Sequence, residues 1–217
     1  MTRNVTGPPV IGDDLYGRHQ EVDQLWAVLE RMEDLLMLAP RRVGKTSLMR
    51  ELHRDPRANW DVVYVDVEDA RGAAGLFARV MAELAQHGRY RNWLGSGQLP
   101  HALRSGWASL KRAKVLGVEL ERALRSDWVP AADHLERRLE RLPDGRRLLV
   151  IIDELPILIS RMLDSEDGRK DASVLLAKLR HWRQTPSLRG KVQTLIGGST
   201  GLKGCSAACA CRPPSMI

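Results

Sequence analysis

The first 204 residues contain no cysteine, and the three that exist, Cys205, Cys209 and Cys211, fall within the last 13 positions. The body of the chain therefore has neither disulfides nor thiolate metal ligands. Long apolar runs are also missing. The two longest, Leu148 to Ile152 and Leu155 to Ile159, are split by Asp153-Glu154, which leaves no 18-residue membrane span. The opening MTRNVTGPPVIGDD has no apolar core of the kind a signal peptide needs, so a cytoplasmic protein with no membrane partner is expected. Glycine (18) and proline (11) are too sparse for a low-complexity or collagen-like chain, and no internal repeat is visible. What is present is 217 residues, 43% of them apolar, enough for one ordinary domain with a sizeable core. Basic side chains (34) exceed acidic ones (27), giving a net charge of +7.

Residues 1–13 read as a loose lead-in. From Gln20 to Met32, Val22, Leu25, Trp26 and Leu29 recur at helical spacing. The run DLLMLA (34–39) is long enough for a buried strand and too short for a helix; it leads through APRRVGKTS into SLMRELHR, where helical spacing returns. WDVVYVDVED supplies a second strand over Val62 to Val67, and a helical pattern resumes from Gly75 to Gln86. Residues 88–142 are read as a helical insertion, irregular at first and helical again in AADHLERRLERL. RRLLVIID reads as a strand buried on both faces of a parallel sheet. DASVLLAKLRHWRQ (171–184) predicts a helix opening on Asp171, and KVQTLIGGSTG a strand over 191–196 followed by a Gly/Ser/Thr loop. Strands alternating with helices imply an α/β fold with a parallel sheet.

The segment Ala39-Pro40-Arg41-Arg42-Val43-Gly44-Lys45-Thr46 fits G-x-x-x-x-G-K-[ST] except for alanine in place of the first glycine. Each residue type has a physical reason. Successive backbone N–H groups make an anion nest, the following helix presents its positive end, lysine reaches the outer phosphates, and the hydroxyl holds Mg²⁺. A Gly-Lys turn capping an ordinary helix is the bland alternative, but the motif lies between an apolar strand and an amphipathic helix, as phosphate binding requires. Such a loop needs a partner carboxylate on a neighbouring strand and, for hydrolysis, a base. LLVIIDE supplies both: Asp153 to hold Mg²⁺ through water, Glu154 to polarise the attacking water. Alone, that run would equally describe a strand with a solvated end or the cap of the next helix. Ser199 or Thr200, after the last strand, is the candidate γ-phosphate sensor, with a flexible strand-to-helix turn as the alternative.

LYGRHQEVDQLWAVL, LLMLAPRRVGKTSLMREL, VVYVDVEDA, LLVIIDELPILI and TLIGGSTGL, in that order over about residues 11–202, resemble the ATPase family first grouped from archaea and common in bacteria, on the AAA+/STAND side of the P-loop NTPases. The resemblance implies a three-layer α/β/α domain over residues 14–202, with sheet order 5-1-4-3-2. It also implies ATP and Mg²⁺ as cofactors and a conformational switch driven by hydrolysis. Carried onto this chain, nucleotide contacts fall on Tyr16, Gly17, Arg18, Pro40, Arg41, Arg42, Val43, Gly44, Lys45, Thr46 and Ser47. Metal contacts fall on Thr46 and Asp153, and catalytic roles on Lys45, Glu154 and Ser199.

Departures from the family accompany these matches. The family carries a fifth strand, a helical lid and a sensor arginine after the fourth strand, and none is legible here, so a fragment that holds nucleotide with little turnover is the alternative to an active ATPase. No arginine finger is assigned, because Arg161, Arg180 and Arg183 read as solvated helix faces. Residues 88–147 carry 13 Lys/Arg against 7 Asp/Glu, interleaved with Tyr90, Trp93, Trp107 and Trp128. That pattern admits a nucleic-acid surface, as in a DNA-handling ATPase of a mobile element or replication system. No recognition helix or RNA motif accompanies it, and solvated basic faces are the favoured reading. A homo-oligomer or another protein is the remaining candidate partner. Residues 203–217 read as an aberrant, disordered tail whose C-x3-C-x-C lacks a fourth zinc ligand. Read one nucleotide earlier, the codons of residues 204–217 allow a string resembling what the family carries after its sensor strand. A single-base frameshift near Lys203 is therefore expected, and sequencing the gene tests it.

Overall fold

The computed structural model describes residues 9, 11–12, 17–87, 90, 113–125, 128–142 and 145–199. Tyr16, Trp93, Trp107, Thr200 and the cysteine-bearing tail lie outside the described residues. Four parallel strands, β1 (Leu35–Ala39), β2 (Trp60–Asp66), β3 (Arg147–Asp153) and β4 (Val192–Ser199), form one sheet in the order β1-β4-β3-β2. The last strand in sequence thus lies between β1 and β3. No fifth strand lies among the described residues. Seven helices accompany the sheet there: α1 (His19–Glu30), α2 (Lys45–Arg54), α3 (Gly72–Gln86), α4 (Ala113–Leu124), α5 (Val129–Leu139), α6 (Leu155–Met162) and α7 (Glu166–Gln184). None is long and apolar enough to cross a membrane.

Strand alternation sorts the core into two clusters, one on each face of the sheet. Val63, Val65, Leu148, Val150 and Ile152 face α3, α6 and α7, where Phe77, Leu158, Leu175 and Trp182 meet them. Val62, Leu149, Ile151 and Leu195 face α1 and α2, through Trp26, Leu29, Met49 and Leu52. The result is a three-layer α/β/α arrangement, and it explains why β3 reads as an unbroken apolar run: it is central and covered on both sides. The chain's sole phenylalanine, Phe77, stacks on Trp128 at 5.4 Å between ring centres and meets Trp182 edge-on at 5.9 Å.

Three sequence expectations change. β1 is not fully buried: as an edge strand of the described sheet it leaves Leu36 and Leu38 exposed on one face. α7 opens five residues earlier than Asp171, because Ser165 caps it by accepting from the Gly168 amide at 3.1 Å. Asp171 lies inside the helix and accepts from the Trp128 indole at 3.2 Å. β4 runs on to Ser199, so Gly197 and Gly198 are strand residues and not a loop. A Cβ on Gly197 would lie 2.6 Å from Met49 Cε and 2.8 Å from Asp153 Oδ1, so the strand continues there because glycine lets two neighbours close in.

In the segment read as an insertion, α4 packs on α3, where Gly75 admits the buried Glu121 carboxylate, which in turn accepts from the Arg71 amide at 3.1 Å. Tyr90 and Trp128, two of the aromatics considered for base stacking, are buried in the core at 2% and 4% exposure. In the lead-in, the Gly12 amide donates to the buried Glu51 carboxylate at 2.8 Å.

Candidate functional site

The sheet register sets the site. Ala39 pairs with Ser199 and Asp66 with Asp153, which brings the C-terminal ends of all four strands to one edge. Ligands of open parallel sheets bind outside that edge.

Beyond Ala39 the chain turns through Pro40, Arg41, Arg42 and Val43, all exposed, into Gly44 at the N-cap of α2. Arg42 (φ 67°) and Gly44 (φ 87°) both adopt left-handed backbone, which folds the loop back over the start of the helix. A side chain at Gly44 would collide with Arg18 Nη1, which donates to the Val43 carbonyl at 2.8 Å. Arg18, paired with Glu21, thus braces the loop from α1, directly after Gly17 (φ 74°). Lys45 is 6% exposed, and its Nζ donates to the Ala39 and Pro40 carbonyls, each at 2.8 Å. The ammonium is folded onto its own loop, where an incoming anion would compete with two carbonyl dipoles for it. Arg41 turns outward to Glu68 at 3.2 Å, an exposed pair of small energetic weight. Ser47, in the first turn of α2, is buried.

Thr46 and Asp153 meet, 107 residues apart in sequence: the Thr46 hydroxyl donates to Asp153 Oδ2 at 2.9 Å. The same oxygen accepts from the Tyr64 hydroxyl at 2.8 Å. Asp153 is 2% exposed, and its Oδ1 is buried with no hydrogen-bond partner. Burial pushes its pKa up, the Glu154 and Asp66 charges add to this, and the Tyr64 and Thr46 hydrogen bonds oppose it. Tyr64 is pushed up in turn by burial and by the Asp153 charge. Sequence reasoning missed Tyr64; the only available signal was its place two residues before Asp66, flanked by Val63 and Val65.

Glu154 has left-handed backbone (φ 60°) and begins α6. Its carboxylate accepts from the Ser199 amide at 2.9 Å and from the Ser199 hydroxyl at 2.5 Å. The two acidic neighbours therefore point to different partners: Asp153 to the loop helix and β2, Glu154 to β4. Arg161 is exposed, as expected of a helix face, but its guanidinium is also engaged. Its Nη2 donates to the carbonyls of Val67 (3.4 Å), Ala70 (3.3 Å) and Glu68, tying down the β2–α3 connection. Arg183 pairs with Asp34 at 3.3 Å, near the start of β1, and Arg180 is exposed.

Beside the loop a cleft of about 410 Å³ opens between α1, β1 and α2, with Leu25, Val28, Met37 and Leu48 forming its apolar wall and Arg18 and Lys45 at its polar side. An apolar cleft with a few polar groups suits a flat ring whose charged end lies on the loop.

At the Thr46–Asp153 junction every donor is oxygen, and one buried carboxylate oxygen has no partner. That buried oxygen packs against Gly197, whereas Oδ2 and the Thr46 hydroxyl form a pair of hard oxygen ligands of the kind a divalent cation takes, directly or through its water shell. The residues therefore fit Mg²⁺. No group of three or more His, Cys, Asp or Glu among the described residues could hold a metal by protein ligands alone; Mg²⁺ in phosphate sites takes one or two protein oxygens, water and phosphate.

No protein-family model and no curated protein matches the chain. Among solved structures, the chain is similar to the Walker-type ATPase of Pyrococcus abyssi, with a TM-score of 0.49 and 18% identity over 88% of this chain and 47% of that one. The chain thus spans about half the length of that protein.

Proposed function

We propose that the chain binds ATP with Mg²⁺ and hydrolyses it, with turnover resetting a conformational switch. The observation that carries this reading is the 2.9 Å contact between Thr46 Oγ1 and Asp153 Oδ2, which joins the phosphate-loop hydroxyl to the strand-end carboxylate. Two motifs far apart in sequence meet in the arrangement that metal-assisted phosphoryl chemistry needs.

In this reading the loop amides from Arg41 to Lys45 and the N-terminus of α2 receive the phosphates. Lys45 releases the Ala39 and Pro40 carbonyls and turns its charge to the outer phosphate oxygens. Arg18 keeps the loop in shape while the base lies in the apolar cleft beside it, with Gly17 and Tyr16 at the base side. Thr46 and Asp153 would hold Mg²⁺, which when bound would supply charge neutralisation at the phosphate oxygens. Glu154 orients water and accepts its proton. Ser199, bonded to that carboxylate, is assigned to sense the outer phosphate. A three-layer nucleotide domain over residues 14–202, a cytoplasmic setting and a protein or homo-oligomeric partner belong to the same reading.

A second reading, nucleotide binding with little turnover, draws support from Glu154, whose two oxygens are both engaged by Ser199. Binding of a fluorescent ATP analogue and phosphate release, measured on the same preparation, separate the two. Binding without release favours the second reading; absence of both refutes the nucleotide assignment.

A further inference from the structure

Asp153 Oδ2 receives two hydrogen bonds that come from different layers of the fold, Thr46 from the start of α2 and Tyr64 from β2. The last torsion of an aspartate is a soft, roughly two-fold rotation. One donor on one oxygen restrains that rotation weakly, whereas two donors from separate directions fix the plane of the carboxylate.

The two donors are not equivalent. Thr46 sits on the helix that carries the phosphate loop, so its position moves with whatever the loop does. Tyr64 sits in the β2–β3 ladder, where seven residue pairs run from Trp60–Arg147 to Asp66–Asp153 and set its height relative to Asp153. Its ring is further held by the Arg50 guanidinium, 5.3 Å from the ring centre, and by His53 at 6.2 Å. A tyrosine whose hydroxyl only needed burial could have been phenylalanine on this strand. Here the hydroxyl is spent on a carboxylate that is 2% exposed.

We propose that Tyr64 is a positioning residue for the divalent cation: from β2 its hydroxyl holds Asp153 Oδ2, the oxygen that also meets Thr46, and so fixes the carboxylate beside the hydroxyl that would hold the metal. The proposal rests on the Mg²⁺–nucleotide reading and adds a residue that the sequence motifs do not name. Tyr64 touches neither the nucleotide nor the metal. Its removal changes how well Mg²⁺ is held without changing how the loop grips phosphate.

The test is Tyr64→Phe in the full chain, read by binding of a fluorescent ATP analogue in EDTA and across a Mg²⁺ titration. Affinity in EDTA should stay within about twofold of wild type, while the Mg²⁺ concentration for half-maximal tightening rises about tenfold, as for loss of a hydrogen bond to a charged group. A merely structural role would weaken binding equally in both buffers, and that result overturns the proposal. So does a Mg²⁺ midpoint equal to wild type. A wild-type chain that binds in neither buffer overturns the nucleotide reading and this proposal with it. A second measurement needs no substitution: in wild-type protein with ¹³Cζ-labelled tyrosine, the Tyr64 resonance should shift when Mg²⁺ joins bound nucleotide, and the absence of a shift counts against the proposal even if Y64F fails to fold.

Discussion

Ser199 donates to Glu154 twice, through its amide at 2.9 Å and its hydroxyl at 2.5 Å, and so links the end of β4 to the first residue beyond β3. The glutamate is not a loose acid at the mouth of a cleft; its orientation is set by the strand next to its own. Glu154→Gln keeps the shape and both contacts, its oxygen accepting from the Ser199 amide and its NH2 donating to the Ser199 hydroxyl oxygen, but it removes the base. Nucleotide affinity should stay within a few-fold of wild type while turnover falls at least a hundredfold. Ser199→Ala retains the amide bond and loses the hydroxyl, so kcat should fall about three- to tenfold with KM little changed. Steady-state phosphate release checks both, and a KM effect larger than the kcat effect for Ser199→Ala would contradict the orienting role.

Lys45 gives a complementary expectation. Its ammonium is satisfied by two carbonyls of its own loop, which can find water when the side chain is removed because Pro40 is exposed and Ala39 half-buried. Lys45→Ala should therefore melt within a few degrees of wild type and yet lose nucleotide binding by at least a hundredfold. A variant that melts normally and binds normally would remove Lys45 from the site.

The strands and helices were legible where one force dominated. β3 is aliphatic because both its faces are covered, and α1 shows helical spacing because Trp26 and Leu29 face one layer. The meeting of Thr46 with Asp153 was legible because a phosphate-loop motif and a strand-end carboxylate are expected at the same edge of a parallel sheet. Tyr64 and Arg161 were not. Each acts through a partner about 90 residues away, Tyr64 on Asp153 and Arg161 on the Val67, Glu68 and Ala70 carbonyls, and no local period encodes such a pairing. The Gly197-Gly198 step misled for a related reason. Glycines signal turns in isolation, but here they answer a packing demand from Met49, Asp153 and Pro156 that appears only when the layers are assembled.

That packing demand is testable. A Cβ on Gly197 would lie 2.6 Å from Met49 Cε, 2.7 Å from its sulfur and 2.8 Å from Asp153 Oδ1. Gly197→Ala should cost about 1–3 kcal/mol by overpacking, read as a lower midpoint in urea unfolding. Gly117, inside α4, is the contrast: its nearest neighbours would be 3.6–3.8 Å away, ordinary contact distances. Gly117→Ala should stabilise by about 0.5–1 kcal/mol through helix propensity. Equal effects of the two substitutions would show that the close approach at Gly197 carries no weight.

If Asp153 holds Mg²⁺ as proposed, binding and the stability of the ligand-free fold pull in opposite directions at this residue. Burial raises its pKa above the ordinary 3.8, so the folded chain holds that proton more tightly than the unfolded chain does. The sign follows: the group's contribution to stability is fully present below pH 3.8 and is lost as pH rises through the folded value, leaving a buried charge with one unpartnered oxygen at neutral pH. Asp153→Asn has no such charge. Ligand-free, it should melt a few degrees above wild type at pH 7, with the gap narrowing as pH falls towards 4. Addition of Mg²⁺ and ATP should reverse the order, because only the carboxylate gains a cation. Thermal melts of both proteins over that pH range, with and without Mg²⁺–ATP, check each step; an Asn variant less stable at pH 7 than at pH 4 relative to wild type would mean that the Tyr64 and Thr46 hydrogen bonds outweigh the burial of the charge.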